Sequence, residues 1–377
     1  LKAALFSAAD PALRLGEALV ERFAQGPRMR LRAPGLMDHV QVWPVGEGPS
    51  DAAAAFAVLW PTLLARHSGL NVVGVGHRIV HGGADHSGPC ELSKAVLDGL
   101  QQLAPLAPLH QPVNLAVAHA AQRVLPKARH MACFDTAFHR GRAFETEAFA
   151  LPMAYYDQGV RRYGFHGLSY ASVVKQLNKD HPELADKKLV VAHLGSGCSL
   201  CAMEGGKSVA TSMGFSALDG LPMGTRSGQI DPGVLLYLMT DRAMSAADIE
   251  DLLYRRSGLL GLSGLSSDVR DLEASDRPQA GQALDYFCSR IAVGIAAMAA
   301  ELGGLDAVVF TAGIGEHSAH VRAKVCQGLA WLGAMLDQDQ NLASPIGKIS
   351  QPGSRLDLLI IPTDEEAQIA SELAPFV

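Results

Sequence analysis

Residues 187–212 read KKLVVAHLGSGCSLCAMEGGKSVATS. The apolar, valine-rich run up to Leu194 has the composition of a strand. Gly195 and Gly197 bracket Ser196 at a tight turn, and a second strand is expected from Ser199. Gly205-Gly206 then predicts a hairpin into a third. Outward along the chain, residues 306–317, DAVVFTAGIGEH, repeat the form. An apolar strand meets a turn containing Gly313 and Gly315, and a helical pattern follows over about 317–329. A long helix is expected over 280–302, and a last strand, LDLLIIPTDEE (356–366), precedes a terminal helix from near Glu365.

The first half alternates in the same way. The sequence predicts a strand at LKAALFS (1–7), an amphipathic helix over 11–24 and an Ala-rich helix over 51–67. An apolar strand in NVVGVGHRIVHGG (71–83), a helix over 115–124 and a buried strand in ARHMACFDTAFH (128–139), ending at Asp135, follow. Strands alternating with helices point to α/β architecture.

Composition narrows the function. The chain has 377 residues, long enough for two or three domains, with 48% hydrophobic and 19% charged residues. A net charge of −6 excludes nucleic-acid binding through a broad basic face. The longest uninterrupted apolar run, residues 291–300, falls short of the roughly 18 needed to span a membrane. Of six cysteines only Cys198 and Cys201 are close, and no second pair completes a zinc site. Three apart on a strand, they point to opposite faces. Buried free thiols fit a reducing, cytoplasmic setting.

An anionic substrate must then be met by a few local cations. The segment TSMGFSALDGLPMGTRSGQIDPG (211–233) holds five glycines in a non-periodic run, with Arg226 among small residues. That composition suits a loop, from which an arginine reaches a cleft or simply solvent. Arg78 lies at the end of an apolar strand and needs an anionic partner; Asp135, ending a similar strand, is one candidate. His110 in LAPLHQP and His166 in YGFHG lie in irregular segments where a ring faces either a cleft or a packed core. The two Gly turns can offer backbone N–H groups to phosphate oxygens, though each alone is a common motif.

Together, GHRIVHGG, LAPLHQPVN, FDTAFH, YGFHG, HLGSG, TSMGF…GLPMGTRSGQIDP, SGLSSDVRDL, FTAGIGEH and PTDEE resemble the acetokinase family, which includes acetate and propionate kinases, in order from Gly76 to Glu366. The resemblance implies a two-domain actin-like, sugar-kinase-like α/β fold with an interdomain cleft. The first domain would comprise residues 1–138 plus 367–377, and the second 139–366. It further implies reversible phosphoryl transfer between ATP and acetate giving acetyl phosphate and ADP, with Mg2+ or Mn2+, by a cytoplasmic homodimer. By the same resemblance Asp135, His166, Arg226, Arg78 and His110 are catalytic. Val80, Leu109, Phe165 and Ala217 line the acyl pocket with Arg78. Lys2, His193, Leu194, Gly195, Ser196, Gly197, Asp268, Val269, Arg270, Gly313, Ile314, Gly315, Glu316 and His317 meet the nucleotide, and Glu365 the metal.

The chemistry agrees with such a set. A carboxylate acceptor is already ionised at neutral pH and needs no strong base. Bringing it against an anionic γ-phosphate requires positioning and cations. Bidentate arginine suits both the carboxylate and the phosphoryl group.

Three features depart from the family pattern. An Asn-x-Gly-Ser-Ser-Ser run normally opens these chains, and Leu1-Lys2 matches only its end; the rest is expected upstream, and a chain without it is expected to be weakly active or inactive. Ser196 replaces an asparagine. Ala217 stands where proline is common, which enlarges the acyl pocket and favours propionate (or butyrate) as an alternative acceptor.

Overall fold

Arg14–Glu21 shows how neighbours decide local structure. The sequence predicts a helix here, with Leu15 and Leu19 four apart; the computed structural model has a strand. Gly16, Ala18 and Val20 are buried in alternation, the period of a strand. Pairing on both sides outweighs the helical spacing. β1 (Lys2–Phe6), β2 (Arg14–Glu21), β3 (Arg28–Arg32) and β4 (His39–Val42) form one antiparallel sheet in that order. Ala18, Val20, Met29 and Leu31 pack against Ala55, Leu59, Trp60 and Leu63 of the helix Ala52–Arg66.

The structure describes residues 1–66, 69–343 and 346–377, so His67, where the Ala-rich helix was expected to end, lies outside the described residues. The chain divides into two units, Leu1–Ala137 with Asp364–Val377, and Phe138–Thr363.

In the first unit β5 (Gly74–Ile79), β6 (Cys90–Glu91) and β7 (Arg129–Phe134) form a second sheet, in the order β5-β7-β6. β5 and β7 run parallel, Ile79 facing Phe134 in register. The helix Gln111–Val124 lies in the connection between them, the element a parallel pair requires. The terminal helix Glu365–Leu373 packs on β5. At Gly76 a Cβ would come within 2.3 Å of Ile369 Cγ2, so glycine permits that approach.

The second unit carries β8 (Lys188–Leu194), β9 (Cys198–Glu204), β10 (Lys207–Thr211), β11 (Ala307–Thr311), β12 (Gly347–Lys348) and β13 (Asp357–Ile360). Their order is β10-β9-β8-β11-β13-β12, with β8, β11 and β13 parallel. Gly205 and Gly206 have φ of 57° and 69°, the backbone a two-residue hairpin turn demands. Leu189, Val191 and Val309 meet Tyr170, Val173 and Leu177 of the helix Gly167–Asp180. The helix Pro278–Glu301 packs on β8, β9 and β10. By length and composition it could cross a membrane, but nine of its residues are buried in this unit, so it serves as a core helix. All six cysteines are free.

The turn expected after β11 differs: Ala312–His317 is already helical, directly after Thr311. The carboxyl ends of parallel β8 and β11 thus lead into the Gly195–197 turn and this short helix. Ligands of open α/β sheets gather at such strand ends.

Candidate active site

In the first unit Arg78 is the second-last residue of β5, and Asp135 follows the end of β7. The parallel register sets them side by side, and Asp135 N donates to Ile79 O at 3.1 Å. Arg78 Nε donates to both Asp135 oxygens at 3.1 Å, and Nη2 to Oδ2 at 2.7 Å. Glu365 Oε2 lies 3.2 Å from Arg78 Nη1. Burial disfavours the charge on Arg78, but Asp135 and Glu365 more than offset it and hold the guanidinium above its ordinary value. Burial raises the Asp135 carboxyl, with Arg78 opposing. The Arg78 side chain keeps 42% of its surface exposed while that of Asp135 keeps 1%. The pair therefore has a buried anchor and an accessible cation.

The residues beyond β5 are held from the helix Gln111–Val124. Asn114 Oδ1 accepts from Val80 N at 3.0 Å; Gln111 Oε1 accepts from His81 N, and its Nε2 donates to His81 O. Leu109 and His110 immediately precede this helix, and Val80 is buried. Gln111 and Asn114 lie within the quoted LAPLHQPVN stretch, yet nothing in their spacing announces that their amides position the strand end.

The three acids of PTDEE divide among three cations. Asp364 takes Arg14 Nη2 at 2.6 and 2.7 Å, Glu365 takes Arg78, and Glu366 takes Lys2 Nζ at 2.8 Å. Lys2, expected at the nucleotide, is on β1 with its side chain 64% exposed.

In the second unit His166 caps the helix Gly167–Asp180 in the left-handed region, φ 59° and ψ 23°. For a non-glycine residue this is an uncommon conformation that costs on the order of 1–3 kcal/mol. Its ring stacks on His193 at 4.0 Å between centroids. His166 Nδ1 lies 2.8 Å from Ser199 Oγ, and His193 Nδ1 2.8 Å from Ser169 Oγ. A Cβ placed on Gly197 would meet His166 Nε2 at 3.1 Å and Arg226 Nη2 at 3.8 Å. The imidazole and the guanidinium thus converge beside the glycine turn.

Arg226 is fixed at both ends. Nη1 donates to Ala217 O at 2.8 Å, and its own carbonyl accepts from Met223 N at 3.0 Å. Burial lowers its pKa, Cys198 and Tyr254 opposing; an arginine stays charged regardless. The loop around it depends on glycines: Gly228 has φ 68°, and a Cβ there would sit 2.5 Å from Leu221 backbone atoms. Ala217 and Phe165 are buried.

The remaining nucleotide candidates are distributed differently. Gly195 N donates to Gly197 O at 3.0 Å, closing the turn on itself, with His193 and Leu194 buried before it and Ser196 exposed at its tip. Asp268 caps the helix Val269–Glu273, accepts from Arg270 N, and pairs with the Arg270 guanidinium at 2.6 Å. Val269 is buried and Arg270 is exposed. Gly313 faces open space, Ile314 is half-buried, Gly315 packs against β11, and His317 is exposed. Glu316 Oε1 accepts from Ala312 N at 2.8 Å and Thr363 N at 3.2 Å, tying together the loops after β11 and β13. Buried Arg322 donates to the carbonyls of Gly315 and Glu316, a role with no local sequence signal.

Among the described residues no group of three or more His, Cys, Asp or Glu could hold a metal ion. Asp135 and Glu365, on either side of Arg78, are the carboxylates that fit a hard divalent cation held mainly by phosphate oxygens and water.

Residues 1–371 match the model of the acetokinase family. The chain is 55% identical over 299 residues to an acetate kinase from Methylocella silvestris, covering 79% of this chain and 74% of that one. The fold superposes on acetate kinase from Porphyromonas gingivalis with a TM-score of 0.83, at 34% identity, covering 95% of this chain and 92% of that one. A propionate kinase from Francisella tularensis gives 0.90 at 33% identity, with 98% and 94% covered.

Proposed function

The chain belongs to the acetokinase family, and from that premise we propose that it transfers a phosphoryl group reversibly between ATP and acetate. Its fold is the two-domain, actin-like α/β fold of those kinases. The observation that carries the reading is the convergence of His166 Nε2 and Arg226 Nη2 on one point beside Gly197.

In the forward direction an acetate oxygen attacks the γ-phosphorus. The bond from that phosphorus to the bridging oxygen of ADP breaks, ADP leaves with the electron pair, and acetyl phosphate forms. No proton needs to move. Arg226 and His166 stabilise the equatorial phosphoryl oxygens, where charge spreads in a loose transition state. Arg78 orients the carboxylate, and Asp135 orients Arg78. Asp135 and Glu365 would hold Mg2+ or Mn2+, which when bound screens the β- and γ-phosphate charges. The turn 193–197, the segment 268–270 and the helix Ala312–His317 serve the nucleotide, with Lys2 and His110 in supporting roles. Incubation with ATP, Mg2+, acetate and hydroxylamine tests the reading: acetohydroxamate is expected. ADP formation without hydroxamate would reject it.

A propionate acceptor is the second reading, favoured by the small, buried Ala217 in the expected acyl pocket. A methylene is worth about 1–3 kcal/mol of selectivity, so kcat/KM for propionate is expected within about a hundredfold of that for acetate. A larger gap would eliminate it.

We further propose a cytoplasmic homodimer. The six free thiols support the compartment. The helix Pro232–Thr240 supports the dimer: it buries none of its residues and exposes Leu236, Tyr237 and Met239. Sedimentation equilibrium at twice the mass of the chain is expected, and a monomer at micromolar concentration would contradict it.

A further inference from the structure

Behind His166 lies a chain of two buried hydroxyls that the phosphoryl-transfer reading does not use. Tyr170 Oη is 2.5 Å from Ser199 Oγ, which is 2.8 Å from His166 Nδ1. Tyr170 and Ser199 are fully buried, and His166 keeps 9% exposure. Four residues after His166 on the helix Gly167–Asp180, Tyr170 lies one turn along; Ser199 comes from β9.

We propose that Tyr170 and Ser199 are positioning residues that hold His166 as the neutral imidazole with its proton on Nε2, aimed as a donor at the transferring phosphoryl group.

A serine hydroxyl has one proton to give and two lone pairs to accept with, and among the described contacts that proton can go to Tyr170 Oη or to His166 Nδ1. The Tyr170 phenol is the stronger donor, and burial raises its pKa well above the ordinary value, so it keeps its proton. Tyr170 then donates to Ser199, and Ser199 to Nδ1. With Nδ1 accepting, the ring proton resides on Nε2, the nitrogen 3.1 Å from the point beside Gly197.

Charging the ring would take away the acceptor at Nδ1. Nδ1–H would donate to Ser199, and of the two buried hydroxyl protons of Ser199 and Tyr170 only one could then be accepted within the chain, a costly outcome in an apolar interior. The groups around the ring oppose a second positive charge as well. His193 stacks on it at 4.0 Å, and Arg226 lies across from Nε2. Beside the Tyr170 phenol, Cys198 and Cys201, whose thiols burial pushes up to about 12, stay neutral. His193 has its own hydroxyl, Ser169 Oγ, on Nδ1. A neutral donor keeps its hydrogen bond to phosphoryl oxygen across the working pH range.

The proposal rests on the phosphotransferase reading for its purpose but not for its test. Wild-type protein labelled with 15N-histidine, with His166 assigned by its loss in His166→Gln, is expected at pH 7.5 to show Nδ1 unprotonated and Nε2 protonated. This readout requires no turnover, so it stands even if acetate is not the acceptor. Tyr170→Phe is expected to lower kcat about tenfold, the scale of one hydrogen bond. KM for ATP and acetate should stay within about twofold, and the acidic limb of kcat should move up by about one pH unit as charging the ring becomes easier. A protonated Nδ1 in the wild type would overturn the proposal. So would a Tyr170→Phe enzyme whose melting temperature falls while the acidic limb stays in place. If that variant does not fold, the wild-type spectrum decides alone.

Discussion

Arg78 and Asp135 meet because they end adjacent parallel strands, and the contact is threefold: Nη2 to Oδ2 at 2.7 Å and Nε to both oxygens at 3.1 Å. Asp135 is enclosed while Arg78 is not. Replacing Arg78 with alanine strands a buried carboxylate, which typically costs about 3–5 kcal/mol. Solvent already screens part of the pair, so about 3 kcal/mol is expected. Urea denaturation of Arg78→Ala should show that loss, and a change below about 0.5 kcal/mol would show that Asp135 does not depend on Arg78.

Gly197→Ala places a methyl where two donors converge, 3.1 Å from His166 Nε2 and 3.8 Å from Arg226 Nη2. One of them must shift by a few tenths of an ångström or more. Misplacement on the ångström scale costs about a hundredfold in rate. A fall in kcat of that order with an unchanged melting temperature is expected. Steady-state kinetics showing wild-type kcat would mean that the point is not where the phosphoryl group passes.

Arg226→Ala removes the guanidinium altogether. Arginines that stabilise phosphoryl transfer contribute roughly 10³–10⁵ in rate, about 4–7 kcal/mol. Only the Ala217 carbonyl accepts from its side chain among the described contacts, so folding should survive. Circular dichroism should be unchanged and kcat reduced on that scale. Turnover above about a tenth of wild type would remove Arg226 from the mechanism.

Much of this arrangement was legible in the sequence, and the reason is local. Arg78 and Asp135 each end a short apolar run, so strands and their shared end were readable without coordinates. The β9–β10 hairpin was announced by Gly205-Gly206. Contacts between distant segments were not readable. Tyr170 and Ser199 are ordinary residues until a helix is laid across β9, and Arg14 pairs with Asp364 only because β2 and the terminal helix lie in the same unit. The misread strand Arg14–Glu21 failed for the same reason, since two partner strands decided it.

Buried histidines make stability pH-dependent. Burial, with a neighbouring His130 and Arg142 respectively, pushes His77 and His139 down to about 3; burial alone pushes His81 to about 4. Each is neutral when folded and takes a proton below 6.5 when unfolded. Their contribution is therefore complete above pH 6.5 and is lost progressively as pH falls toward the folded values. Between pH 6.5 and 5 the loss is about 2 kcal/mol per histidine. Melting temperatures at pH 7.5, 6.5 and 5.0 should be level between the first two and clearly lower at the third. A flat profile to pH 5 would contradict this.

Phosphate passes directly between a nucleotide and a carboxylate, and 31P NMR of the protein with acetyl phosphate, ADP and Mg2+ follows that transfer. The acetyl phosphate signal should decay as the γ-phosphate signal of ATP grows in equal measure, with inorganic phosphate lagging. Decay into inorganic phosphate alone, with ADP unchanged, would exclude that transfer.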